Sequence, residues 1–195
     1  MGHRRHQDHF GRRAKADGFA ARSVYKLEEI QQRFSIVPRN GAVLDLGCSP
    51  GSWSSYAKSV GGADTRLVGV DLTEVGGYRG HQFVGSVFDV SEQELRDALG
   101  GGADLVMSDM APATSGNRFT DHVRQIELAE QARVIAAQLL RPGGHFVTKV
   151  FEGEDASALV ERVRANFEQT KRVKPKSVRK ESVEFFLVGL RRREG

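Results

Sequence analysis

Lys149 lies inside Phe146-Val-Thr-Lys-Val-Phe151, with apolar residues on both sides. A lysine in an apolar run is either paired with a carboxylate or held with a lowered pKa, and in the second state it is a base. The natural partner is Asp109, which closes the preceding run Asp104-Leu-Val-Met-Ser-Asp109 and opens the proline-stiffened turn Met-Ala-Pro112. Glu184 repeats the theme as an acid opening the apolar run Phe185–Val188. Lys26, between Tyr25 and Leu27, is the second lysine of interest. Taken alone, a helical lysine more often snorkels along a surface than reacts. A purely structural Lys149–Asp109 ion pair is the plain alternative to proton transfer.

A second constellation is suited to binding. Val43-Leu-Asp-Leu-Gly-Cys-Ser-Pro-Gly-Ser-Trp53 reads as a buried strand, a glycine turn and the start of a helix. Such a turn at the carboxyl edge of an α/β sheet exposes bare backbone and a helix N-terminus to a ligand. Twenty residues past Gly51, the run Val68-Gly-Val-Asp71 ends in an acid, where nucleotide-binding folds hold ribose hydroxyls. Asp89, in a Val-Phe-Asp setting, follows the next strand and is placed to read an adenine amino group. Neither Gly-x-Gly-x-x-Gly nor Gly-Lys-Ser/Thr is present, so the dinucleotide fingerprint and the phosphate-binding loop are both excluded. A nucleoside-type ligand remains. Trp53 has equal claims to the ligand and to the core.

The elements that must position these residues alternate. Residues 1–18 read as a polar, irregular, flexible basic arm. Val24, Leu27, Ile30 and Phe34 recur at helical spacing, giving an N-terminal helix within 19–36 that carries Lys26. Strands are expected at Val43–Leu46, Leu67–Val70, Gln82–Val84, Asp104–Asp109, His145–Phe151, Arg172–Lys174 and Val183–Leu190. Helices are expected at 52–60, at 91–99 with Ser91 and Glu94 as a capping box, at 121–140 and at 154–167. This is an α/β series, a single domain over 1–195 with a seven-stranded, mostly parallel sheet and helices on both faces.

Charge is polarised along the chain. Residues 1–39 carry nine Lys/Arg against four acids, and residues 171–195 carry nine against three. The middle carries eleven against eighteen, so the net charge of +4 conceals an acidic body with basic ends. Ends that converge in space would form a surface for nucleic-acid phosphates. The one cysteine, Cys48, excludes an internal disulfide and a cysteine-based zinc cluster within the chain. No membrane-spanning run or secretory signal is evident, so a cytoplasmic protein is expected.

Five segments together resemble a known family: Ala-Arg-Ser-Val-Tyr-Lys26-Leu, Leu-Asp-Leu-Gly-Cys-Ser-Pro-Gly-Ser-Trp53, Ser-Asp109-Met-Ala-Pro, Val-Thr-Lys149-Val-Phe-Glu-Gly and Ser-Val-Glu184-Phe-Phe-Leu-Val. They are similar, in order and over residues 8–190, to the FtsJ/RrmJ (RlmE) ribose 2′-O-methyltransferases. The resemblance implies a Rossmann-like fold, S-adenosylmethionine as methyl donor, and a Lys-Asp-Lys-Glu tetrad on Lys26, Asp109, Lys149 and Glu184. Glu181 competes for the last place, but its register fits less well. The resemblance also puts Gly51, Trp53, Asp71, Asp89 and Asp109 on donor-binding positions, and implies no metal. Ser52 replaces a glycine of the usual turn, Cys48 an alanine, and Ala113 the asparagine that often follows Asp-Met-Ala-Pro.

A ribose hydroxyl is a poor nucleophile at neutral pH, so it must be aligned with the methyl and relieved of a proton. Lys149 is the expected base, with Asp109 and Glu184 orienting the two lysines. The expected substrate is large-subunit ribosomal RNA at a uridine, on the assembled subunit, acted on by a monomer. A transfer-RNA anticodon loop is the first alternative. A nicotinamide oxidoreductase would share the strand-turn-acid layout but gives no role to two lysines. A non-catalytic RNA-binding assembly factor would be expected to have lost a member of the tetrad.

Overall fold

The computed structural model describes residues 3–113, 115–179 and 181–194, with side chains from His9 onward. In chain order the elements are α1 (His3–Ala16), α2 (Val24–Phe34), β1 (Ala42–Leu46), α3 (Ser52–Gly61), β2 (Arg66–Asp71), β3 (His81–Val84) and α4 (Glu92–Leu99). They continue with β4 (Ala103–Ser108), α5 (Arg118–Leu139), β5 (Leu140–Phe151), α6 (Ala156–Asn166), β6 (Phe167–Val173) and β7 (Glu184–Arg192). One sheet holds all seven strands in the order β3-β2-β1-β4-β5-β7-β6. β1 to β5 pair in parallel, and β7 runs antiparallel between β5 and β6. β1 is buried at every residue, as expected of a parallel strand covered on both faces.

Side-chain alternation divides the core in two. Leu44, Leu46, Val68, Val106, Phe146 and Leu187 pack under α4, α5 and α6. Val43, Leu105, Met107, Val147, Phe186 and Val188 face the other way, against Leu27 and Ile30 of α2 and Trp53 and Ala57 of α3. Among the described residues no helix is long and apolar enough to cross a membrane.

Several expectations are corrected. The irregular arm is instead a helix over most of its length, α1. Its only described apolar anchors, Phe10 and Ala14, are too sparse to show a period, yet both pack with Val24 and Tyr25. Arg13 stacks 4.5 Å over the Tyr25 ring, and the Tyr25 hydroxyl donates to Asp17 at 2.8 Å. Burial, then that bond, pushes the phenol up to about 12. α5 begins three residues before the expected Asp121, because Asn117 Oδ1 accepts from the N–H groups of Phe119 and Thr120. Asp121 instead turns back to accept from Ser115. β5 starts at Leu140 rather than at the expected His145, and residues 141–144 make an irregular strand entry with a register shift against β4. β6 takes over at Phe167, where the paired ladder with β7 begins. The polar segment 114–117 starts at Thr114, which lies outside the described residues.

Candidate active site

Register brings the catalytic candidates to one face. Met107 pairs with Val147, Lys149 with Phe186, and Phe151 with Glu184. Side chains two apart share a face, so Asp109 follows Met107, Lys149 follows Val147, and Glu184 precedes Phe186 on the α2 side of the sheet. Lys26 comes down from α2. Its Nζ lies 2.8 Å from Glu184 Oε1 and 3.6 Å from Asp109 Oδ1. Lys149 Nζ lies 3.2 Å from the same Asp109 oxygen and donates to the Asp109 backbone carbonyl at 2.8 Å. The order is therefore Lys149–Asp109–Lys26–Glu184, with Asp109 shared. Lys149 is only 5% exposed. Asp109 Oδ1 is buried and makes no directional hydrogen bond, so proximity alone ties it to the two lysine amino groups.

Lys149 has support from behind. The Lys149 backbone carbonyl lies within reach of α5. The buried Gln125 side chain of α5 donates to it at 2.9 Å.

Beside this row a cleft of about 450 Å³ opens at the carboxyl ends of β1, β2 and β4. Gly47 lines it at φ +78°, and a Cβ there would stand 2.6 Å from Met110. Asp71 lines it with both oxygens fixed, Oδ2 by the Ser49 N–H at 2.9 Å and Oδ1 by the Thr73 N–H at 2.8 Å. Each oxygen keeps a free lone pair for a hydroxyl. Leu72 and Phe88 are 76% and 54% exposed and flank the opening, giving apolar walls for a flat ring. Two carboxylates, Asp71 and Asp109, line the cleft, and among its described lining residues there is no lysine or arginine. This lining fits a cationic nucleoside such as S-adenosylmethionine and offers nothing to a pyrophosphate.

The other donor candidates stand apart from the lining. Gly51 adopts φ +95° as the residue that opens α3. Asp89 is exposed, one residue beyond the lining Phe88. Trp53 is buried in the core against Phe186, and its Nε1–H donates to the Ser23 carbonyl at 2.9 Å.

Residues that pattern reading missed also gather here. Asp45, in the middle of β1, is 1% exposed and accepts from Ser54 Oγ at 2.6 Å, which in turn meets the Tyr78 hydroxyl at 2.8 Å. Desolvation raises its carboxyl to about 7, with Asp109 and Asp71 adding to the rise and Ser54 opposing it. Its signal was an acid within an otherwise apolar strand. Parts of the two basic segments meet on this side, whereas Arg191–Arg193 bond to Glu168, Leu140, Ala137 and Phe167 at the other edge of the sheet. Lys176 N–H donates to Glu29 of α2 at 2.7 Å. Arg22 lies within reach of Arg179 and Glu184, and burial, then Arg179, holds its guanidinium below the ordinary value. Among the described residues no group of His, Cys, Asp and Glu is placed to hold a metal.

Comparison with known proteins identifies the family and the fold. Residues 19–192 match the family model described as FtsJ-like methyltransferase. A protein of Desulfosudis oleivorans named ribosomal RNA large subunit methyltransferase E is 44% identical over 98% of this chain and 93% of its own length. One of the same name from Bdellovibrio bacteriovorus is 44% identical over 94% of this chain and 96% of its own. A Plasmodium falciparum crystal structure described as a ribosomal RNA methyltransferase superposes with a TM-score of 0.80 at 23% identity, covering 91% of this chain and all of that one. Aeropyrum pernix fibrillarin, solved with natively bound S-adenosylmethionine, gives 0.57 at 18% identity over 80% of this chain and 68% of its own. At these identities the two structures speak for the fold.

Proposed function

The chain belongs to the FtsJ-like methyltransferase family, and from that premise we propose that it moves a methyl group from S-adenosylmethionine to a ribose 2′-hydroxyl of large-subunit ribosomal RNA. The observation that carries this reading is the row Lys149–Asp109–Lys26–Glu184 standing beside the carboxylate-lined cleft, with Asp109 belonging to both. Only RNA offers a 2′-hydroxyl. The parts of the basic segments that meet here supply phosphate contacts around the row.

The donor, when bound, would supply an electrophilic methyl on a sulfonium, whose sulfur would keep the electron pair of the broken S–CH3 bond as a neutral thioether; the rest is done by the chain. Asp71 would hold ribose hydroxyls of the donor on its free lone pairs, Gly47 would let backbone approach it, Gly51 would shape the turn behind it, and Leu72 and Phe88 would cover its base. Asp89, at the rim, would meet the base edge. Lys149 Nζ takes the proton of the attacking 2′-hydroxyl. Asp109 and the Lys149 ammonium that results hold each other in place, and Lys26, anchored by Glu184, steadies the hydroxyl. Alignment of the hydroxyl accounts for several kcal/mol of the barrier, and the base for about 10²–10⁴ in rate.

The same reading has a monomer acting in the cytoplasm at a uridine of the assembled subunit. The deciding experiment supplies labelled donor and unmodified large subunits, and then maps the methylated nucleotide. Label at a ribose of the large-subunit RNA, with none on free transfer RNA, is the expected result. Label only on transfer RNA would move the substrate to the anticodon-loop class, and label on no RNA would end the reading.

A further inference from the structure

The serine that opens α2, Ser23, makes no side-chain cap. Its carbonyl is nevertheless doubly engaged. It accepts the Lys26 backbone N–H at 3.0 Å and the Trp53 indole N–H at 2.9 Å. Two residues earlier, the Ala21 N–H donates to Ser52 Oγ at 2.8 Å. Ser52 and Trp53 are the first two residues of α3, directly after the glycine turn of the cleft, and are 2% and 4% exposed. The indole ring then packs on Phe186 with centroids 5.7 Å apart. Phe186 carries Lys26 Nζ 5.4 Å above its ring and pairs with Lys149 across the sheet.

We infer that Trp53, with Ser52, is a positioning residue for Lys26. The first turn of α3 grips the entry to α2 through two partly buried hydrogen bonds, and the indole ring braces the aromatic floor under the lysine. Ser52 stands where the family resemblance leads one to expect glycine, which has no hydroxyl to give, so half of this grip belongs to the sequence of this chain. The glycine turn that lines the donor cleft and the helix that delivers Lys26 are thereby one mechanical unit. The inference rests on the proposed role of Lys26 in methyl transfer.

Two variants test it. Trp53→Phe keeps a ring against Phe186 and deletes the indole N–H. Ser52→Ala removes the hydroxyl that accepts the Ala21 N–H, with little change in volume. Hydrogen exchange at the amides of 24–26 is expected to quicken about fivefold in each variant, with α5 amides unchanged, the effect of one lost hydrogen bond. In single-turnover methylation the rate is expected to fall about fivefold, with donor affinity and the KM for the particle held within about twofold. In a Lys26→Met background, Trp53→Phe is expected to cost less than about twofold further, since the residue it positions is gone. Unchanged exchange at 24–26 overturns the proposal. So does an equal loss in both backgrounds, or donor affinity falling in step with rate. If the wild-type protein methylates no RNA, or Lys26→Met keeps full rate, the functional reading fails, and the exchange measurement still decides whether the grip exists.

Discussion

Lys26 Nζ lies 2.8 Å from Glu184 Oε1, joining helix α2 near one end of the chain to strand β7 near the other. Both side chains are about 15% exposed, so solvent screens this pair only in part. The contact closes the row that begins at Lys149. It also explains why β7 must enter the sheet beside β5: no other strand order sets Glu184 opposite Phe151.

Removing the anchor leaves Lys26 with the 3.6 Å contact to Asp109 alone. Glu184→Ala is expected to lower kcat about a hundredfold, the cost of a catalytic group displaced by about 1 Å. The accompanying loss of stability is expected to be about 1–2 kcal/mol for a partly screened pair. Thermal melting and single-turnover methylation measured together check both. A large loss of melting temperature with normal turnover would show the pair to be structural.

Lys149→Ala is expected to reduce turnover by about 10²–10⁴. Calorimetric donor binding should persist, because Lys149 is absent from the cleft lining. Lys149→Arg should not rescue it, since a guanidinium stays protonated and cannot accept the hydroxyl proton. Near-normal turnover in either variant would sink the assignment of the base.

Asp71→Asn replaces one of the two acceptor oxygens that backbone N–H groups hold in the cleft. Donor affinity is expected to fall about tenfold or more, the size of a lost charge-assisted hydrogen bond. The KM for RNA should hold, since the change lies in the donor cleft. Titration calorimetry of the donor is the measurement, and an unaltered affinity would remove Asp71 from the donor site.

Asp45 gives a pH signature. Its folded-state carboxyl is raised from 3.8 to about 7, chiefly by burial. The folded protein therefore holds this proton more tightly than the unfolded chain does. The resulting stabilisation is complete below the unfolded value near 3.8 and is lost as pH rises through about 7. Wild type should lose melting temperature relative to Asp45→Asn steadily over that window, and the loss should level off above it. A difference independent of pH would contradict the buried, protonated acid.

Read from particular residues, much of the site was legible in the sequence. Lys149 and Glu184 announced themselves by charge within apolar runs, the glycine turn by its small residues, and α4 by Ser91, whose side chain does accept from the Glu94 N–H. These are local signals, because periodicity, turn chemistry and caps are set by residues a few positions apart. α1 was not legible, since its helix depends on Tyr25 and Val24 across a turn rather than on its own pattern. Asp89 was read from its place in the series, and it lies beside the cleft rather than in its lining. Leu72 and Phe88 looked like ordinary strand-end residues until the fold left them exposed at the cleft.

By itself the sequence determined which elements form from α2 onward, in what order, and which charged residues the apolar context would make costly to bury unpaired. Only the tertiary structure decided who meets whom. It set Asp109 between two lysines, gave Glu184 to Lys26, and sent Trp53 into the core to share the Ser23 carbonyl with the Lys26 amide. The physical reason is that these contacts join elements far apart in the chain. Their geometry follows from the order in which strands enter the sheet and from the packing of α2 and α3 on one face, neither of which any local window of residues encodes.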